Sequence, residues 1–120
     1  MRTYKDPQTV MLIVAQHFGM SKEQMLSKDQ RREIIKARHI AIYFCKLFSD
    51  LSTNALVDLF GVKQRGTIIH AIRSVNNQEK IYKEYRIMLQ DIEGKIEGKD
   101  DNYSDIYQGN DFNIEKQFLK

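Results

Sequence analysis

The stretch EIIKARHIAIYFCKLF, residues 33–48, sets the strongest limit on the fold. Ile34, Ala37, Ala41, Phe44, Cys45 and Phe48 recur at helical spacing and cover a broad face. Lys36, His39, Tyr43 and Lys46 fall at i, i+3, i+7 and i+10 and leave one narrow polar stripe. A helix this apolar belongs at the centre of a domain, with other helices packed around it. No segment alternates cleanly between apolar and polar residues over five positions, so no strand competes. The expected class is all-α.

Local start and stop signals divide the rest. Asp6-Pro7 opens a helix, because Asp caps the free backbone N–H groups and Pro suits the first turn. Val10, Ile13, Val14 and His17 follow at helical spacing, and Gly19 ends the run. Ser21 with Gln24 has the capping-box pattern for a short helix over 22–26. SKDQRRE, residues 27–33, contains no apolar residue and reads as an exposed loop; its cations are Lys28, Arg31 and Arg32, with Lys36 just beyond. Ser52 caps a helix over about 53–60 that Gly61 stops.

The next helix begins near Gly66, with Ile68, Ile72 and Val75 on one face and Thr67, His70 and Ser74 on the other. It either breaks at Asn76-Asn77 or continues to about residue 93, where Ile81, Tyr85, Met88, Leu89 and Ile92 carry the periodicity. The series Tyr82, Tyr85, Leu89, Ile92 suits internal packing and a self-association seam equally well. This gives about five to six helices in a domain over residues 1–93. Residues 94–120 are polar, hold three of the six glycines and read as a flexible tail. The tail's Ile106, Tyr107, Phe112, Ile114 and Phe118 offer a docking surface to a protein partner.

Charge is unevenly placed. Residues 1–93 carry 15 Lys+Arg against 10 Asp+Glu, a net of +5, whereas residues 94–120 carry 4 against 6, a net of −2. A basic body points to a polyanion. No apolar run approaches the roughly 20 residues of a membrane helix. The basic start MRTYK is followed by VMLIVAQHFG without a small-residue cleavage site, so that segment is expected to be a helix of the fold rather than a signal peptide. The single cysteine, Cys45, excludes an internal disulfide and fits a buried thiol in a reducing cytoplasm. His17 suits a place at the edge of the core. No His, Cys or carboxylate set has metal-ligand spacing or an acid–base partner, so no cofactor and no enzyme activity are expected.

One stretch carries more specific chemistry. FGVKQRGTIIHAI, residues 60–72, joins a short helix to an amphipathic one, the helix-turn-helix arrangement. Gly61 permits the corner and Val62 plugs it. Lys63, Gln64, Arg65 and Thr67 then stand at the start of the second helix, the part that reaches base edges in the major groove. Arg can pair with guanine O6 and N7, and Gln with adenine N6 and N7. Gly66 removes a side chain where DNA approaches. The same order of residues also serves a solvated helix hairpin. A nucleotide-binding loop fits poorly: Gly61 and Gly66 have the right separation, but Thr67 and Ile68 stand where Lys and Ser/Thr are needed, and no strand precedes.

From about Val10 to Val75 the chain resembles, without gaps, the C-terminal DNA-binding domain of the bacterial replication initiator family, DnaA. The matching pieces are Leu26-Ser27-Lys28, Arg38-His39 with Ile40-Ala41, and FGVKQRGTIIHA against the family's FGGRDHTTVLHA. The resemblance implies a Trp repressor-like helix-turn-helix at about 53–76 that enters the major groove of double-stranded DNA, with an arginine of the basic loop in the adjacent minor groove. Carried over, Arg32 is the minor-groove arginine, and Gln64, Arg65, Thr67 and His70 are the base-reading positions of the second helix. Lys28, Arg31, Arg38, His39 and Lys63 fall to phosphate contacts. Departures are specific. Gln64-Arg65-Gly66 replaces the family's base-reading Asp-His-Thr, Lys63 its arginine and His39 its glutamine, and the usual prolines are absent at Ala37 and Asn54.

With 120 residues and no space for the family's ATPase domain, the expectation is a stand-alone, sequence-specific DNA-binding module. It would lack ATPase activity and be cytoplasmic and nucleoid-associated. The alternative is a protein-interaction module that docks, or self-associates, through residues 81–92 or the tail.

Overall fold

The computed structural model describes residues 4–98 and contains six helices. They are α1 (Pro7–His17), α2 (Lys22–Leu26), α3 (Arg32–Ser49), α4 (Thr53–Phe60), α5 (Arg65–Ile81) and α6 (Lys83–Glu97). No strand occurs among the described residues, so the all-α class holds.

α3 is the post of the structure. Its buried face includes Ile34, Ala37, Ile40, Ala41, Phe44, Cys45 and Phe48, and α1, α2, α4 and α5 all pack on it. α6 lies against α5 and α1. Ile40 and Ile42, outside the face drawn from spacing, are also buried, because helices cover α3 on more than one side. Burying each large aliphatic chain here contributes about 1.5–3 kcal/mol. Cys45 is completely buried, and burial pushes its thiol up to about 12, so it packs as a small apolar residue.

The helix starts follow local chemistry. Asp6 Oδ1 accepts from the Gln8 N–H at 3.0 Å, Ser21 Oγ from Gln24 N–H at 3.0 Å, and Ser52 Oγ from Ala55 N–H at 3.1 Å. Each satisfies a donor that the first turn leaves free. Ahead of α1 the chain is strapped to the end of α3: Lys5 N–H donates to Phe48 C=O at 3.0 Å, and Ser49 Oγ donates back to Lys5 C=O at 2.5 Å. At the far end of α1, His17 meets α6, its Nδ1 3.0 Å from Lys95 Nζ and 3.8 Å from Asp91 Oδ2. Burial, then the nearby Lys95, lowers the His17 pKa, so a neutral ring accepts from the ammonium.

Three boundaries differ from the pattern in the sequence. The helix does not break at Asn76-Asn77. Both side chains are exposed, and Ile72 and Val75 hold the preceding turn to the core, so packing overrides their weak helix preference. The break comes at Tyr82, whose φ of −113° and ψ of 119° are extended, while its N–H still closes α5 on Gln78 C=O at 2.9 Å. The second difference is at the C-terminal end. α6 passes through Gly94 to Glu97, with Ile96 buried, and Gly98 at φ 78° ends it, so the helical unit extends past residue 93. Third, α3 starts at Arg32, one residue before the expected Glu33, so Arg32 belongs to the helix rather than to the loop. The tail residues Ile106, Tyr107, Phe112, Ile114 and Phe118 lie outside the described residues. Of the series proposed as a seam, Tyr85, Leu89 and Ile92 are buried in the chain's own core, and only Tyr82 is exposed.

Candidate nucleic-acid interface

α4 and α5 form the helix-turn-helix. α4 ends at Gly61, which takes φ 65°, a left-handed turn that a side chain would strain. Val62 then packs against the core and its N–H bonds Val57 C=O at 3.2 Å. Lys63 and Gln64 are exposed, and Gln64 is the N-cap of α5 with extended backbone and no side-chain capping bond. Arg65, Gly66 and Thr67, the first three residues of α5, are exposed in turn. The first turn of α5 contains no acidic residue. The positive end of the helix therefore adds to Lys63 and Arg65 instead of being neutralised.

The loop between α2 and α3 is built from its own side chains. Asp29 Oδ1 accepts from the Arg31 N–H at 2.8 Å, and the Asp29 carboxylate also takes the Arg31 side chain, with Nη2 to Oδ2 at 2.8 Å. That bonding holds the Asp29 carboxyl below its usual range. From α3, the Arg38 guanidinium donates to three carbonyls: Met25 in the last turn of α2 at 2.9 Å, and Ser27 at 2.6 Å and Asp29 at 3.1 Å in the loop. A delocalised fork of five N–H donors suits this task, and a lysine could not copy it.

Two of the residues expected at phosphates already have partners within the chain. Arg38 holds the loop in shape, and Arg31 is paired with Asp29. By contrast, the side chains of Lys28, Arg32, Lys63 and Arg65 have no hydrogen bond or ion pair with any described residue. Lys28 and Lys63 line one cleft of about 360 Å³. Ser27 and Gln30 line it from the loop, and Gly61 and Thr67 from the helix-turn-helix. Arg32, Gln64 and Arg65 are exposed outside its lining.

His39 and His70 are brought together from α3 and α5. Their rings meet edge to face at 85°, with centroids 5.8 Å apart. His39 is half-buried, and burial, then His70 and Arg38, lowers its pKa. It therefore offers a neutral ring rather than the cation a phosphate would attract most strongly. His70 is exposed beside it.

Two exposed residues of α5, Ile69 and Arg73, escaped the reading of the sequence. Their only signal was spacing: they follow Gly66 by three and seven positions, on the side opposite buried Ile68, Ala71 and Val75.

A family model described as the bacterial dnaA protein helix-turn-helix matches residues 7–75. Among curated relatives, the chromosomal replication initiator protein DnaA of Bacteroides thetaiotaomicron is 30% identical over 90 residues, 75% of this chain and 19% of the relative. That of Synechocystis sp. is 31% identical over 74 residues, 62% of this chain and 17% of the relative. That of Brucella abortus is 32% identical over 68 residues, 57% and 14% respectively. The chain thus spans about a fifth or less of the length of these relatives.

Proposed function

Since this chain belongs to the bacterial DnaA helix-turn-helix family, we propose that it binds double-stranded DNA with sequence preference. In this reading the start of α5 enters the major groove and the loop before α3 faces the adjacent minor groove. The observation that carries it is the cleft between loop and turn, lined by Lys28 from the loop and Lys63 from the turn. Neighbouring grooves of a duplex are separated by one sugar–phosphate strand, and a strand seated in this cleft would meet both cations and the Thr67 hydroxyl. Such contacts fix register and carry affinity without reading sequence.

Base reading falls to the residues outside the cleft. Arg65 is suited to guanine O6 and N7, and Gln64 to adenine N6 and N7. Arg32, at the first position of α3 and without an internal partner among the described residues, is the minor-groove side chain. Gln64, Arg65 and Gly66 differ from the family's Asp-His-Thr, so the preferred site is expected to differ from the initiator's usual box. The spacing that hints at a nucleotide loop, Gly61 to Gly66, falls on the turn and the start of α5 after a helix, and this reading assigns the chain no ATP hydrolysis.

The test is selection from a randomised duplex library at about 0.1–0.15 M salt, where phosphate contacts are still felt but partly screened. Enrichment of one short motif is the expected result. Salt-sensitive binding with no motif would reject sequence preference, and no binding at all would reject DNA as the ligand.

A further inference from the structure

Gly66 is a poor choice for its place in the fold. Gly19, Gly61 and Gly98 each take a positive φ, but Gly66 does not. It is the second residue of α5, and a Cβ built on it meets nothing within 4 Å. Neither the backbone nor the packing of this chain calls for glycine there, and glycine weakens a helix. One turn on, Ile69 is 41% exposed. An apolar β-branched side chain thus stands in solvent beside a bare patch of backbone, flanked by Arg65 and Arg73.

Resting on the DNA-binding reading above, we infer that Ile69 recognises a thymine through its 5-methyl group, and that Gly66 is the gap that lets the base-pair edge come close enough. The position is right for this task, because the N-terminal turns of a recognition helix reach base edges. The chemistry is right as well: the thymine methyl is the apolar feature of the major-groove edge, and aliphatic side chains read it by contact. A side chain at position 66, such as the family's threonine, would itself occupy the base-pair edge beside Ile69 and keep Ile69 from the methyl.

The experiment uses the full chain and the best duplex from the library selection, with each thymine replaced in turn by deoxyuridine, which lacks only that methyl. The expected result is one position where the change weakens binding about four-fold, the value of about 0.8 kcal/mol for one buried carbon. Ile69→Ala should bind the thymine and uracil duplexes equally at that position. Gly66→Ala should weaken DNA binding while raising the thermal unfolding midpoint, a pairing that a merely structural glycine would not give. Ile69 is exposed, so its truncation leaves the fold intact. Wild-type binding that ignores every thymine methyl overturns the inference and leaves the DNA-binding reading standing. So does an Ile69→Ala variant that still discriminates, as it would if Ile69 served a protein partner. Failure of the wild type to select any duplex overturns both.

Discussion

His39 on α3 and His70 on α5 meet edge to face with ring centroids 5.8 Å apart, which joins the central helix directly to the helix proposed to read DNA. Burial lowers the His39 pKa in the folded chain, and the neighbouring His70 and Arg38 add to the effect. The unfolded chain therefore takes up a proton near 6.5 that the folded chain resists. In that range the unfolded state binds more protons, so stability falls as pH drops below about 6.5. His17 is lowered in the same direction and adds to the loss. The expected outcome is a lower thermal midpoint at pH 5.5 than at 7.5, with a smaller difference in His39→Gln. An unchanged difference in that variant would remove His39 as a source.

Arg38 gives a test of building against binding. Truncation to Ala leaves three carbonyls, one at the end of α2 and two in the loop, without their donor and should cost about 1–3 kcal/mol, read by denaturant unfolding. Arg38→Lys keeps the charge but loses the fork, and it should bind DNA nearly as poorly as Arg38→Ala. Full recovery of binding in the Lys variant would return Arg38 to the phosphate role.

Lys28 and Lys63 both line the cleft, one from the loop and one from the turn. Neutralising either, as Lys28→Gln or Lys63→Gln, should weaken binding to every duplex alike. Each should also reduce the slope of log affinity against log salt by about one. A variant with the wild-type slope would mean that its lysine touches no phosphate.

Arg65→Ala should behave differently from the lysines. It should lose about 1–3 kcal/mol at one base pair of the selected site and little against random sequence. Equal weakening on all sequences would make Arg65 a backbone contact.

Ser52 caps α4 through its bond to Ala55 N–H. Ser52→Ala should cost about 1 kcal/mol, which for a domain of this size lowers the thermal midpoint by about 4–8 °C. A shift under about 1 °C would show that the cap is not needed.

What was legible in the sequence was local. Asp6, Ser21 and Ser52 act on N–H groups two or three residues away, so each cap could be read from its own neighbourhood. Gly61 likewise declares its own corner. The end of α6 was less legible, because Gly94 looks like a stop until Ile96 is known to be buried beyond it. Arg38 was legible as a cation, but its partners lie 9 to 13 residues back along the chain, and nothing in the spacing reveals that carbonyls claim it. The pairing of His39 with His70 was hidden for the same reason. Helical phase gave each residue a face, and only the crossing of α3 with α5 made the two faces touch.

Arg38 and His39 are consecutive residues of one rigid helix. The first fixes the shape of the basic loop, and the second rests against α5. The two walls of the cleft are thus referred to a single rod and behave like the jaws of a locked calliper. On the DNA-binding reading, a duplex whose sugar–phosphate strand does not match that setting would have to bend or twist to fit. The work of fitting would then fall on the nucleic acid, and stiff and pliant sequences would be told apart even at base pairs that no side chain reaches.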